Sequence, residues 1–340
     1  MQVWLTREVA FHPRGYYRLA LTLAKQRKVS IWGRPLPSVH LRGPLAKEVH
    51  PVVWNNLTTP PLSPATVEVH YLTTSLSSWT PSLLSSSEPT FICNPSDLWR
   101  ALLNRFVIWD VWEDYAQNFK YDPVYSPLQS QWRRLQWSLL YPLRWMPRGY
   151  ILAEYDYASL FPLCKSCFLP NAFVAVENET PLLPNLAGQY TLYTGNITES
   201  WGTFAAVEEA LKTPDRPFVI AGSLKSSLAE TRLRLALQHH RAWLWIQSPF
   251  VPYPVIQNLQ RYASLLYAPY EPLPHLRHKV PGKFYEAAAL GIPIEYPVGK
   301  SKVWDAFWRR YRGASNAPEL YWSHYEKVLI EWVGEVLDDA

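Results

Sequence analysis

Short apolar strands alternate with helices twice over in this chain, and that rhythm leaves few folds open to it. The first round opens with Val3-Trp4-Leu5-Thr6, a loop holding His12, Pro13, Arg14 and Gly15, a helix near 17–26, and a second strand over 29–33. That is a βαβ start. Further strands are expected over 67–72, 90–93, 106–109 and 150–153, joined by helical or polar stretches as in a parallel sheet. A segment rich in Pro, Ser and Thr between Thr58 and Pro89 reads as long surface loops around one strand.

A boundary falls near 178–188, where Pro181, Pro184 and Gly188 punctuate a polar stretch between the candidate strands 173–176 and 190–194. The second round then begins. Phe204, Val207 and Leu211 keep helical spacing, Phe218-Val219-Ile220-Ala221 is a strand closed by Gly222, a helix is expected over 228–239, and the next strand over 242–246. Tyr325, Leu329, Trp332 and Val336 mark one face of a last helix over 321–337. The expectation is an α/β protein of two Rossmann-like, doubly wound domains facing a central cleft: 1–177, 178–320, and a C-terminal helix, 321–340. A length of 340 residues agrees, since one core seldom organises more than about 250.

Hydrophobic residues make up 48% and charged residues 18%, a balance that folds rather than staying disordered. The net charge of +5 suits a phosphorylated ligand or an anionic surface and is thin support for nucleic acid. Arg7 and Glu8 interrupt the opening apolar stretch, and no run of about 18 apolar residues follows, so neither a signal peptide nor a membrane span is expected. Three cysteines, Cys93, Cys164 and Cys167, make no disulfide framework and favour a reducing compartment, here the cytoplasm. The sequons at Asn56, Asn178 and Asn196 are then chance matches. Cys164 and Cys167 lack a second half-site at zinc spacing, so no metal site is expected.

The segment from Pro281 to Pro293 carries the chemistry. Pro281 and Gly282 suit a helix start, Ala287-Ala288-Ala289-Leu290 is strong helix, and Gly291 with Pro293 stops it. Lys283 sits in the first turn, where the helix dipole alone would favour an anion. A diphosphate reconciles the two, because free N–H groups and an ammonium both point toward it. Glu286 is then placed to accept from a ribose diol, or else it merely complements the dipole. Arg277, His278 and Lys279 crowd the loop before, as further positive charge on the ligand or as a solvated basic loop.

The pattern Pro281-x-Lys283-x-x-Glu286-x-x-Ala289-x-Gly291-x-Pro293 resembles the donor motif of bacterial glycosyltransferases of the GT-B fold, family 4-like. Over the rest of the chain, Val107 to Asp114 is similar to that family's strand ending in Asp-x-His-Glu, Leu192-Tyr193-Thr194-Gly195 to the strand and glycine opening its C-terminal lobe, Ala268-Pro269-Tyr270 to the end of a later strand, and the helix over 321–340 to the one that crosses back to the N-terminal domain. The resemblance implies that Lys283 contacts the phosphates and Glu286 the ribose of a nucleotide-sugar donor, with no cofactor and no metal; Gly195, Gly222, Arg277, His278 and Lys279 are the further candidates for holding that donor, the last three in place of missing family cations. The chain departs from the family at Asn196 and Trp201, where cations are usual, at His278, where a glutamate is usual, and at Trp112, where a histidine is usual. Stereochemistry at the transferred sugar stays open.

A base to deprotonate the acceptor is sought among carboxylates at strand ends of the first half: Asp110, Glu113 and Glu154, each of which has the alternative of capping a helix or pairing with an arginine. His12 is a comparable candidate. Between 131 and 148, Trp132, Trp137, Tyr141 and Trp145 interleave with Arg133, Arg134, Arg144 and Arg148, a mixture that fits peripheral contact with a membrane or tryptophans packed under snorkelling arginines. The expected acceptor is a saccharide or a lipid-linked one, as in polysaccharide or glycolipid synthesis. A GT-B-fold nucleotide-sugar epimerase and a non-catalytic nucleotide-sugar-binding or partner protein are the competing readings.

Overall fold

Thr90–Ile92, Val107–Val111, Gly149–Leu152, Thr191–Thr194 and Phe218–Gly222 are strands buried along their whole lengths, as strands covered on both faces must be, and they are drawn from runs of aliphatic and aromatic residues. The structure is a computed structural model that describes residues 1–72, 88–121, 126–161, 165–176, 179–198, 203–204, 208, 212–224, 227–271, 273–274, 276 and 279–338. In chain order the strands are β1 (Gln2–Val9), β2 (Val29–Arg34), β3 (His40–Arg42), β4 (Val67–Tyr71), β5 (Thr90–Ile92), β6 (Val107–Val111), β7 (Gly149–Leu152), β8 (Ser166–Phe168), β9 (Thr191–Thr194), β10 (Phe218–Gly222), β11 (Trp243–Gln247), β12 (Leu265–Tyr267) and β13 (Ile294–Glu295). The chain divides into one unit of Met1–Leu36, Pro61–Val174 and Tyr321–Ala340, and another of Pro37–Pro60 and Ala175–Leu320.

The first unit holds a parallel sheet in the order β4-β2-β1-β5-β6-β7-β8. Counted within the unit, this is third, second, first, fourth, fifth, sixth, seventh, the doubly wound order whose direction reverses between β1 and β5. Val107, Trp109, Val111, Tyr150 and Leu152 fill one face of it with Phe161. The helix expected over 17–26 starts earlier: Pro13–Ala20 is wound as a π-helix and runs into the α-helical turn Leu21–Leu23. His12 caps it, its Nδ1 accepting from the Arg14 N–H at 3.3 Å. The last helix, Ser323–Asp338, buries Leu329, Val333 and Val336, and Arg148 Nε donates to the Val336 carbonyl at 2.7 Å. Just before it, Trp322 Nε1 donates to Thr22 Oγ1 at 2.9 Å.

The strand expected over 173–176 is reduced to one bridge, Phe173 with Tyr321. Its backbone groups go elsewhere: the Phe173 carbonyl accepts from Trp322 N–H at 2.7 Å, and Val176 N–H donates to the Gln257 side chain at 2.7 Å.

In the second unit β11-β10-β9-β12-β13 repeats the third, second, first, fourth, fifth order, all parallel, and β3 joins the outer edge antiparallel to β11. Residues 37–60 therefore belong here and not with 1–177 as expected. Arg42 lies 5.3 Å from the Trp245 ring centroid, Ser248 Oγ donates to the Ser38 carbonyl at 3.0 Å, and His50 N–H donates to the Leu182 carbonyl at 2.9 Å. The helix Pro51–Thr58 follows, capped by His50. The expected helix through Val207 and Leu211 lies outside the described residues, as do Trp201 and Cys164; 228–239 is the helix Ser227–Leu237.

Candidate functional site

Winding of the second sheet reverses between β9 and β12, so the chain leaves the carboxyl ends of these two strands in opposite directions and opens a crevice there. Gly195 follows β9 with φ +119, a conformation that side chains seldom adopt, and Tyr270 follows β12. Gly222 closes β10, and a Cβ on it would overlap the Gly195 carbonyl. The two strands stay side by side past their glycines: Gly195 N–H donates to the Ala221 carbonyl and Ile197 N–H to the Ser223 carbonyl, each at 2.8 Å. Asn196 is held in this turn, its Oδ1 accepting from Ser223 Oγ and its carbonyl from the Tyr193 hydroxyl, both at 2.7 Å.

Into this crevice the helix Gly282–Leu290 brings its N-terminus. Pro281 is its N-cap, and Gly291 ends it in the left-handed region, with Ile292 N–H returning to the Ala287 carbonyl at 2.9 Å. Phe284 anchors the inner face at 5.0 Å from the Tyr296 ring and 5.8 Å from that of Trp304. Trp304 Nε1 in turn donates to the Lys279 carbonyl at 2.8 Å, fixing the chain just before the helix. The Lys283 ammonium is hydrogen-bonded to the Tyr270 hydroxyl and stands 4.8 Å from the Tyr270 ring centroid and 5.8 Å from that of Tyr193. A Cβ on Gly195 would lie 3.1 Å from Lys283 Nζ. The ammonium thus hangs over the bare glycine backbone beside the start of the helix Gly282–Leu290, where an anion entering from the crevice meets charge and first-turn N–H groups together. Burial, with Tyr270 beside it, pushes the Tyr193 hydroxyl well above its ordinary range, which keeps it a donor.

Of the other expected donor contacts, Glu286 is buried and its Oε2 accepts from Gln260 Nε2 at 2.6 Å; Gln260 itself has no exposed surface. Lys279 is half-buried, and Arg277 and His278 lie outside the described residues.

The candidate bases all stand at the carboxyl ends of first-unit strands, in differing surroundings. Asp110, in β6, is fully buried: Arg14 Nε donates to both its oxygens at 2.9 Å, Arg14 Nη2 donates to Oδ1 at 2.7 Å, and Trp112 Nε1 donates to Oδ2. Arg14 also donates to the Leu169 carbonyl at 3.0 Å. Such a carboxylate is occupied as an ion-pair partner. Glu113 accepts from Asn118 Nδ2, and Glu154 is a buried N-cap whose side chain makes no capping bond. Both raise the Tyr157 hydroxyl, after burial, which is the larger cause. His12 stacks on Trp112 with centroids 4.4 Å apart, and burial, with Arg18 and Arg14 adding to it, lowers its pKa to about 3. It is a neutral imidazole at pH 7. Among the described residues no cluster of three His, Cys, Asp or Glu could hold a metal ion.

Sequence reasoning passed over three residues here. Tyr270 was visible as the end of an expected strand but carried no chemical signal. Arg14 lies 96 positions from Asp110, and Gln260 lies 26 from Glu286, so neither pairing leaves a local pattern.

No family model matches the chain, and no curated protein matches it by sequence. Solved structures do match along its whole length. A glycosyltransferase involved in avilamycin A biosynthesis, AviGT4, is 10% identical over 100% of this chain and 99% of its own, with a TM-score of 0.54. The α,α-trehalose 6-phosphate synthase of Burkholderia multivorans is 11% identical over 99% and 98%, at 0.51. HepE of Anabaena, in complex with UDP and glucose, is 10% identical over 100% and 98%, also at 0.51. The fold is GT-B, with two Rossmann-like units.

Proposed function

We propose that this chain is a glycosyltransferase that moves a sugar from a nucleotide-diphosphate donor, held by its second unit, to a saccharide or lipid-linked acceptor in cell-surface polysaccharide or glycolipid synthesis. The observation that carries this reading is Lys283 Nζ suspended over Gly195 at the reversal point of a doubly wound sheet. A helix N-terminus and a lysine ammonium over a glycine turn bare of side chains are the parts a diphosphate requires. Glu286, turned by Gln260, is assigned to the ribose hydroxyls. The solved structure with UDP and glucose supports the same choice of donor class.

Chemically, the departing nucleoside diphosphate gains negative charge as the glycosidic bond to it breaks. Lys283 and the first-turn N–H groups stabilise that charge without a proton transfer of their own. Glu113 or Glu154 accepts the acceptor's proton; Asp110 is left out, since Arg14 and Trp112 engage both its oxygens. Hexosyl specificity, cytoplasmic location and a peripheral approach to the membrane through 131–148 belong to the same proposal. Among the described residues no helix is long and apolar enough to cross a bilayer.

A non-catalytic nucleotide-sugar-binding role is favoured by one observation: Asn196 replaces the usual cation and is itself tied to Ser223. Calorimetric titration with UDP, GDP and ADP, on wild type and Lys283→Ala, tests the donor site. Binding of one diphosphate, lost in the variant, is expected; no binding of any, or undiminished binding by the variant, overturns it. Donor hydrolysis by the wild type then separates enzyme from binding protein.

A further inference from the structure

The helix Pro127–Leu140 buries none of its residues fully, yet one of its faces is anchored. Trp137 meets Trp109 at 6.1 Å, Tyr115 at 6.0 Å and Tyr141 at 5.3 Å between ring centroids, which attaches that face to the first unit. At about 100° per residue, Leu128, Trp132, Leu135 and Leu139 fall within an arc of roughly 60°, opposite Trp137. Their exposures are 77%, 58%, 52% and 71%. A soluble surface seldom leaves four large apolar side chains in one row. Trp145 and Met146 extend the apolar surface past the helix end, with 40% and 42% of their areas exposed.

Charge identifies the occupant. From 126 to 148 the chain contains Arg133, Arg134, Arg144 and Arg148 and no acidic residue. Arg134 is exposed on the flank of the row, and the Arg144 guanidinium lies 3.4 Å from the Tyr141 ring centroid and 4.2 Å from that of Trp145. Cations and ring edges flanking an apolar stripe are the arrangement of a helix lying in a lipid interface, with leucines among acyl chains and guanidinium groups among phosphates. Beside the row, a cavity of about 380 Å³ lined by Trp99, Phe119, Trp137 and Leu139 continues the apolar surface inward.

We propose that the Leu128-Trp132-Leu135-Leu139 face docks on an anionic lipid bilayer. This deepens the membrane approach proposed for 131–148: the contact begins at Leu128, and Trp137 is turned away from it. It rests on that reading for its purpose, bringing the enzyme to a lipid-linked acceptor, but not for its evidence.

The test is co-sedimentation of the full chain with vesicles of phosphatidylcholine alone and of phosphatidylcholine with phosphatidylserine. Wild type is expected to bind the mixed vesicles, less so as salt rises. Trp132→Glu with Leu135→Glu should lower partitioning by about tenfold or more, and Arg134→Glu by roughly fivefold. Because these side chains are exposed, the variants are expected to keep the wild-type circular dichroism and its titration with UDP. Equal binding to neutral vesicles, no binding to either, variants that bind as wild type, or a wild-type dimer that Leu135→Glu splits would each overturn the proposal. A wild type that binds none of UDP, GDP and ADP but still binds the vesicles would remove the donor reading and leave this one standing.

Discussion

Gly222 lies against the carbonyl of Gly195 so closely that a side chain at 222 and that oxygen would occupy the same space. The contact is backbone on backbone, so no rotamer change relieves it. Gly222→Ala is expected to cost about 1–3 kcal/mol in denaturant unfolding, as overpacking does, and to displace the turn that faces Lys283. Gly188→Ala is the control: its φ is +75, but a Cβ there meets nothing within 4 Å, so it carries only backbone strain of about 1–2 kcal/mol. If both variants retain nucleotide binding equally, the glycine seam is not part of the site.

Tyr270 and Lys283 separate geometry from charge. Tyr270→Phe removes the hydroxyl that holds the ammonium but leaves the ring beneath it. Affinity for the nucleoside diphosphate should fall by about two- to tenfold, because the hydroxyl acts on the ligand only through the ammonium it positions. Lys283→Ala removes the charge, and a loss of about ten- to hundredfold is expected from a charge-assisted contact. Titration calorimetry ranks the two, and a larger loss in Tyr270→Phe would show that the phenol itself holds the ligand.

Arg14 and Asp110 test whether a strand-end carboxylate is catalytic or structural. Both are buried and bonded to one another through three contacts. Asp110→Asn leaves a guanidinium without its counter-charge and is expected to cost about 3–5 kcal/mol, with Arg14→Met plus Asp110→Leu recovering much of it. A variant that unfolds at the wild-type midpoint but no longer turns over would instead return Asp110 to the list of bases.

The doubly wound order of both sheets was legible because buried parallel strands need uninterrupted apolar runs, as in Val107-Ile108-Trp109 and Phe218-Val219-Ile220-Ala221. The same rule hid β3. His40-Leu41-Arg42 has no apolar run, and it is a strand only because β11 offers an unpaired edge about two hundred positions later. The Phe173-Val174-Ala175-Val176 run failed in the opposite sense: it has strand composition, yet Phe173 forms an isolated bridge with Tyr321 in place of a strand. At the candidate site, Lys283, Glu286 and the two glycines announce themselves through helix punctuation and strand ends, which are local. Their supports, Tyr270 and Gln260, arrive by tertiary contact and leave no trace in spacing.

His12 gives the pH dependence a sign. Its pKa in the folded chain is about 3, lowered first by burial and then by Arg18 and Arg14, against about 6.5 when unfolded. Between those values the unfolded chain binds a proton that the folded chain refuses, so stability falls as pH falls. The contribution is fully present above pH 6.5 and is lost on the way down toward 3. The slope is bounded by about 1.4 kcal/mol per pH unit for one group, and because His12 keeps some solvent contact, a loss of about 1–2 kcal/mol from pH 7 to pH 5 is expected. Carboxylates titrate at the lower end of this range, so the informative quantity is the difference between wild type and His12→Asn, whose amide can cap the same helix. Urea midpoints at pH 7, 6 and 5 should converge for the two proteins as the pH drops, because only the wild type carries the imidazole. Parallel lines would mean that the His12 imidazole takes up its proton in the folded chain as readily as in the unfolded one, and that its stacking on Trp112 does not exclude the charged form.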